Sequence, residues 1–234
     1  PSFIFLFILM HSNKLILELI LGLNAVGVYS IGFNLGSAVS IITGGIATAW
    51  YPFFMKYYNK QSEITELFGK IFTYYTFGVG FIVTLFFIFS KPIMILLTSA
   101  NFHTGYIIIG LAASANYLIG FYNMFLPPMY YKKEIYAQSI VQGISVLFSL
   151  PLTYFFIYKY GILGAGFGLV LGHFLMAIFT LIWNTFRRKQ YVFIQYEGLR
   201  IIKFLVLFLA VCSIMLTVEI EDFFKNILFS LAIF

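Results

Sequence analysis

Apolar runs near 20 residues in length, separated by short polar breaks, make up most of this sequence. A helix needs about 20 apolar residues to cross the ~30 Å hydrocarbon core of a bilayer. The alternation of a transmembrane barrel is missing from these runs. Seven runs are long enough to cross and an eighth begins near the end: residues 3–23, 26–54, 67–89, 105–131, 135–157, 161–183, 201–218 and from 226 onward. The sequence therefore predicts an all-α fold, a polytopic transmembrane helical bundle with about seven full spans and a truncated eighth.

Composition excludes water-soluble classes of protein. Hydrophobic residues make up 62% of the 234 positions and charged residues only 9%, whereas a soluble domain carries about 25% charged residues. Too few charges remain to keep a surface of this size in water, so a soluble enzyme or nucleic-acid module is excluded. Cys212, the single cysteine, lies in an apolar run, which predicts neither a disulfide framework nor a thiolate metal site. No cofactor is predicted.

The basic residues of the loops indicate an orientation. If the first run crosses from inside to outside, ten basic residues fall in inside loops and three in outside loops, as expected when positive charge stays in the cytoplasm. The inside set is Lys56, Lys60, Lys70, Lys132, Lys133, Arg187, Arg188, Lys189, Arg200 and Lys203, and the outside set is Lys91, Lys159 and Lys225.

Three regions follow from these runs. Residues 1–183 are predicted to form a transmembrane bundle of about six spans, residues 184–200 a basic cytoplasmic loop, and residues 201–234 additional terminal spans. In the outside loop 90–104, residues 92–97 are predicted to form a short helix. The sequence begins without Met, and residues 226–234 provide only ~13 Å of helix. We therefore expect a piece of a longer protein.

Motifs of enzymes are missing from the sequence. It contains no zinc-protease helix motif, no nucleophile elbow and no phosphate-binding loop. Asp222 is the only aspartate, which excludes an Asp-x-Asp metal–nucleotide site. Gly164, Gly168 and Gly172 repeat every four residues, a pattern that lets membrane helices approach closely. The sequence thus predicts a non-enzymatic membrane protein with a tight helix contact at this stripe.

Three titratable residues lie inside the first run. His11, Lys14 and Glu18 are spaced by three and four residues, so they share one face of a helix. Charge at this depth is costly unless it faces the bundle interior or a watery cavity. Two interpretations remain open: Lys14 and Glu18 neutralise each other between packed helices, or the three residues line a cavity and contact substrate.

Uncharged polar residues add candidates for substrate contact. They serve either as hydrogen bonds between helices or as a sugar-binding cavity, and the pattern does not distinguish the two. This set consists of Asn34, Asn116, Asn123, Gln138 and Gln142. His173, alone in the sixth run, is interpreted as a hydrogen-bonded packing residue.

Several short motifs together resemble a known family. They are Asn13-Lys14-Leu15-Ile16-Leu17, Leu21-Gly22-Leu23, Val26-Gly27-Val28-Tyr29-Ser30, Trp50-Tyr51-Pro52-Phe53, and Tyr160-Gly161-Ile162 with Gly164-Ala165. In order and spacing they resemble the C-terminal half of polysaccharide flippases, which export O-antigen and other lipid-linked oligosaccharides and belong to the multidrug/oligosaccharidyl-lipid/polysaccharide exporter superfamily. Asn13 and Lys14 stand where that family has an Asp-Arg pair, so the positive charge is kept and the carboxylate is replaced by an amide.

The resemblance implies a function and a partner. It implies a protein of polysaccharide (lipopolysaccharide) biosynthesis in a bacterial cytoplasmic membrane. Such a flippase moves a lipid-diphosphate-linked oligosaccharide by alternating access, in a cavity shared with an N-terminal half outside this sequence. Lys14 would contact the diphosphate, and the Asn and Gln side chains would contact the sugar. Membrane lipids are further partners, and no nucleic acid is expected.

Three alternatives remain. A drug or metabolite antiporter of the same superfamily is the nearest, although the mixed charge of Lys14 and Glu18 differs from the acidic cavity that favours cationic drugs. A membrane-embedded polysaccharide polymerase or ligase would need a large outside loop with acid–base residues, and the longest outside loop here has about 15 residues. A scaffold without transport activity would not need charged residues at mid-depth.

Overall fold

A computed structural model describes residues 2–57, 61–187 and 197–217 of the chain. Of these residues 93% are helical and none forms a strand. The predicted all-α class is therefore confirmed. The predicted loop positions Lys60, Arg188, Lys189 and Lys225 and the eighth run fall outside the described residues.

Ten α-helices and one short 3₁₀ helix account for the described segments. They are α1 (Ser2–Leu21), α2 (Leu23–Gly36), α3 (Val39–Tyr57), α4 (Gln61–Ile88), α5 (Ser90–Leu97), the 3₁₀ helix (Ala100–Gly105), α6 (Tyr106–Phe125), α7 (Pro127–Tyr131), α8 (Ile135–Tyr160), α9 (Ile162–Phe186) and α10 (Gly198–Thr217). The short helix predicted at residues 92–97 is present as the second part of α5.

Five described segments are long and apolar enough to cross a membrane, and six if the bent pair α2–α3 is counted as one span. These helices indicate a multi-pass membrane protein. The run predicted at residues 26–54 is bent in the structure, because α2 and α3 meet at an angle of 48° and together can be counted as one span. A Gly-Ser pair, Gly36-Ser37, ends α2 at this point, and such pairs are a common cause of sharp helix kinks.

The fourth apolar run contains the pair Pro127-Pro128, which predicts a break or kink in a helix, and in the structure α6 ends just before it at Phe125. Pro128 has no N–H to donate to the carbonyl of Met124, so that carbonyl loses its helical partner. Trp50 Nε1 of α3 donates to this same carbonyl oxygen at 3.1 Å. One residue later, Asn184 Nδ2 of α9 donates to the carbonyl of Phe125 at 2.8 Å. Two side chains from other helices thus satisfy carbonyl groups that the break between α6 and α7 exposes.

Replacing Trp50 by Phe should destabilise the protein by about 1–2 kcal/mol, because the Met124 carbonyl would stay buried without a donor. The phenyl ring still fills much of the space between Phe54 and Phe68, which pack on Trp50. We expect a lower thermal midpoint for the detergent-solubilised variant. The control is Tyr136→Phe, since Tyr136 is 53% exposed and its hydroxyl has no hydrogen bond to a described residue. Equal midpoints for both variants would contradict a capping role for Trp50.

Helix α6 forms the centre of the bundle. In the most apolar 18 residues of Ala100–Tyr131, 72% are buried, against 17% in α1. Around α6 pack α2, α3, α4 and α9, while α8 packs on α9 and α1, and α10 packs on α4. One face of α1 consequently has no partner among the described helices. The exposed residues of α1 are Phe3, Ile4, Phe7, His11, Leu15, Glu18, Leu19 and Leu21.

The glycine stripe of α9 lies against α8. A Cβ atom at Gly168 would be 2.5 Å from Thr153 Oγ1, and one at Gly164 would overlap the carbonyl of Phe156. Gly172 lies between Ser149 of α8 and Leu9 of α1. The predicted role of the stripe in close helix packing is confirmed.

A turn of one glycine joins α8 to α9. Gly161 has φ 61° and ψ −133°, a conformation that only glycine adopts without strain. Leu21, at the C-terminal end of α1, lies next to it, with its Cδ1 3.6 Å from the position of a Cβ at Gly161. At the opposite end of the bundle, Arg187 after α9 and Glu134 before α8 form an ion pair at 3.8 Å.

Side-specific labelling tests the predicted orientation. On a Cys212→Ser background, cysteines at positions 132 and 187 should react only from the cytoplasm and a cysteine at 159 only from outside. Arg187 is a partner in the ion pair at one end of the bundle, and Lys132 lies two residues before the other partner, Glu134. Lys159 lies in the last turn of α8, about 36 Å along the helix from Ile135. Labelling of positions 132 and 159 from the same side would overturn the topology. Glu221, predicted to face outside, lies beyond the described residues.

Candidate functional site

The eight predicted contact residues divide into two groups. His11, Glu18 and Asn34 are exposed and Lys14 is half-buried, all on α1 and α2. We call His11, Lys14 and Glu18, which share one side of α1, the Lys14 face. The second group belongs to α6 and α8: Asn116 and Gln142 are buried, and Asn123 and Gln138 are half-buried. The structure therefore does not bring all eight residues onto one surface.

Lys14 is the central residue of the Lys14 face. Its Nζ lies 5.1 Å from the ring centroid of Phe33 on α2, within the range of a cation–π contact. No carboxylate of a described residue lies within 4.0 Å of this ammonium group. Lys14 is seven residues, about 10 Å, from the C-terminal end of a 20-residue apolar helix. The helix thus holds a cation at depth without a carboxylate partner.

This geometry disfavours one of the two interpretations of His11, Lys14 and Glu18, while a contact with substrate stays a prediction. A neutralising pair requires Lys14 and Glu18 in contact, and their i, i+4 spacing permits it. In the structure Glu18 is exposed instead, and the Lys14 ammonium lies against Phe33. His11 is exposed next to Phe7, with ring centroids 4.5 Å apart. The Lys14 face is therefore largely exposed, and Lys14 forms no ion pair with Glu18.

Asn13, next to Lys14, is a buried residue that the sequence patterns did not single out as a site. It is 1% exposed, on the side of α1 opposite to the exposed face, beside the hydroxyl of Tyr29. Asn13 Nδ2 and Tyr29 Oη have no hydrogen-bond partner among the described residues. An amide in this position loses less hydration energy than a carboxylate would. The signal that could have revealed it is the spacing Leu9, Asn13, Leu17, which marks the buried side of α1.

The polar residues of α6 and α8 connect helices. Ser2 Oγ donates to Gln142 Oε1 at 2.5 Å, and Gln142 Nε2 donates to Tyr122 Oη at 2.8 Å. Tyr130 Oη donates to Gln138 Oε1 at 2.7 Å. These bonds join α1, α6, α7 and α8, which favours the interpretation of Gln138 and Gln142 as bonds between helices. A substrate contact of theirs stays a prediction.

Two further buried polar residues bond within their own helices. Asn116 Nδ2 donates to the carbonyl of Ala112 at 2.9 Å. His173 is 1% exposed, and its Nδ1 donates to the carbonyl of Leu169 at 2.8 Å. The interpretation of His173 as a hydrogen-bonded packing residue is confirmed.

An apolar groove lies on the other side of the bundle. Its volume is about 580 Å³, it lies between α4, α6, α9 and α10, and Phe72, Phe121, Phe174 and Phe208 contribute aromatic walls. No residue of α1, α2 or α3 lines it. The groove and the Lys14 face are therefore separate surfaces. In the described part of the chain no three His, Cys, Asp or Glu side chains are close enough together to hold a metal ion.

Comparison with protein-family models, with curated proteins and with solved structures finds no match to this chain.

Proposed function

We propose that this chain is one lobe of a flippase that moves a lipid-diphosphate-linked oligosaccharide across a bacterial cytoplasmic membrane. The single observation that carries the proposal is the position of Lys14. Lys14 is a half-buried residue within an apolar helix, and its ammonium group contacts an aromatic ring and has no carboxylate of a described residue within 4.0 Å, so its charge is available to a ligand.

An anionic substrate is the chemistry that fits this cation. A diphosphate that enters a medium of low dielectric constant needs an opposite charge to offset the loss of hydration. A lone cation at this depth costs several kcal/mol in the empty protein, and binding of an anion recovers part of that cost. A cationic drug would meet repulsion from Lys14, which disfavours the antiporter alternative.

The other predicted contact residues of α1 and α2 fit the sugar portion of such a substrate. Asn34 of α2 is exposed, so its amide is free to accept and donate hydrogen bonds to hydroxyl groups. His11 and Glu18 are exposed on α1 to either side of Lys14 along the helix. Amide, imidazole and carboxylate groups all form hydrogen bonds with hydroxyl groups, so these residues together with one cation suit a ligand with one anionic group and many hydroxyls.

The open face of α1 also suggests the partner. We infer that the N-terminal half of the same protein packs opposite α1, α2 and α3, so that the Lys14 face lines a central cavity between two lobes. Rocking of the lobes would then expose Lys14 to each side of the membrane in turn. Packing against a second lobe explains both the exposed face of α1 and the resemblance of this chain to the C-terminal half of polysaccharide flippases.

Deletion of the encoding gene tests the function. We expect lipid-linked oligosaccharide to accumulate in the inner leaflet, where it is protected from an oxidant that does not cross the membrane, and we expect the full-length gene to restore export. Normal export together with increased sensitivity to cationic drugs would support the antiporter instead. Loss of polymerised glycan with normal transfer of the single unit to the outer leaflet would indicate a polymerase.

A further inference from the structure

We propose that Phe33 is a positioning residue that holds the Lys14 ammonium group in place for its anionic ligand. This inference deepens the proposed function and rests on it for the identity of the ligand. The contact between Lys14 and the ring, at 5.1 Å, joins two helices. Other cation–aromatic contacts of the described chain join neighbours in sequence or residues one turn apart: Lys56 with Tyr57, Lys159 with Tyr160, and Arg187 with Trp183.

The Phe33 ring is supported from within the bundle. It stacks on Tyr29, one turn earlier in α2, with centroids 6.0 Å apart and an interplanar angle of 20°. Tyr29 itself is fully buried. Phe33 also packs against the buried cluster of Ala112, Ala115 and Leu169 from α6 and α9. Buried residues therefore hold the Phe33 ring in place, and Lys14 contacts the surface of the ring that they leave uncovered.

Glycines on either side of Phe33 fix the rotation of α2. A Cβ at Gly32 would be 2.7 Å from the carbonyl oxygen of Gly105 and 2.8 Å from Ile108 Cβ. A Cβ at Gly36 would overlap the carbonyl of Ile109 and would be 2.8 Å from Ala112 Cβ. Because α2 can pack this closely on α6 only with these residues inward, Phe33 is kept in one orientation relative to α1.

An aromatic ring and a carboxylate hold a cation with different consequences. A carboxylate would neutralise Lys14 and compete directly with a diphosphate. The face of a ring attracts the ammonium group through its quadrupole and carries no net charge, so the full positive charge is kept for the ligand. The ring also limits the rotamers of a long side chain, which reduces the entropy lost when the ligand binds.

Fluorination of Phe33 separates this role from packing. Each fluorine withdraws charge from the ring face while the shape of the side chain is nearly unchanged. We expect affinity of the purified full-length protein for farnesyl diphosphate to fall stepwise from phenylalanine to its mono-, di- and trifluoro derivatives at position 33. Phe33→Leu should lower affinity about tenfold, and Phe33→Tyr should keep most of it. Equal affinity across the fluorinated series, with loss only in Phe33→Leu, would show that Phe33 acts by packing alone.

A second readout does not depend on the ligand. The rate of reductive methylation of Lys14, followed by mass spectrometry, should rise progressively along the same series, because each fluorine weakens the contact by which the ring holds the amine. Trifluorophenylalanine at Phe81, which is 61% exposed on α4, is the matched control and should leave that rate unchanged. If farnesyl diphosphate does not bind the unmodified protein while the methylation rates change as expected, the proposed function fails and the positioning role stands. Unchanged methylation rates across the Phe33 series would overturn the positioning role.

Discussion

Replacement of Lys14 by alanine should reduce glycan export by the full-length protein at least about a hundredfold, the order expected when a charged hydrogen-bond partner is removed from a site of low dielectric constant. Protein abundance should stay near normal. Lys14 has no ion pair with a described residue, so its removal leaves no buried charge behind, and loss of the contact with Phe33 costs about 1 kcal/mol. The measurement is export of glycan per molecule of transporter in the membrane.

Two companion variants sharpen this test. Lys14→Arg should keep partial activity, because the charge remains while the planar guanidinium group has a different geometry. The double change Lys14→Ala with Glu18→Ala should be as inactive as the single change. Recovery of export in the double variant would show that the two residues only neutralise each other, which would defeat a substrate role for Lys14.

Gly168→Leu should remove most of the stably inserted protein from the membrane. A Cβ at this position would already be 2.5 Å from Thr153 Oγ1 and 2.7 Å from Thr153 Cγ2, so a leucine forces α8 and α9 apart. Overpacking of this kind costs about 1–3 kcal/mol or more. Separation of α9 from α8 also loosens the pocket for Leu9 of α1, which lies at Gly172. We expect low abundance and a lower thermal midpoint in detergent.

Gly78→Leu is the matched control for this variant. Gly78 is also a glycine within a long apolar helix, but it is exposed, and a Cβ there has no neighbour within 4 Å. Its abundance and thermal midpoint should be close to those of the unmodified protein. If both leucine variants were equally stable, close approach of α8 and α9 would not be important for the bundle.

Helical structure and membrane character follow from the sequence alone. Bilayer thickness fixes the length of an apolar span, and composition excludes a water-covered surface, so both conclusions depend only on local properties of the chain. The break at Pro127-Pro128 and the close packing of the stripe at Gly168 are equally local in origin. A missing N–H group and a missing side chain act in whatever fold surrounds them. The number of spans, the orientation and the flippase family stay predictions.

The arrangement of the polar residues was decided by the tertiary structure. Spacing placed Lys14 and Glu18 on one helix face and permitted an ion pair, but the packing of α2 beside α1 offered Lys14 the ring of Phe33. Its polar side chain within an apolar run made Gln142 a candidate for substrate contact, whereas the fold buries it between Ser2 and Tyr122. Helical periodicity defines which residues share a face and carries no information about which neighbour covers that face. That choice depends on contacts between helices distant in sequence, such as α2 on α6 and α8 on α9, which only the folded chain brings together.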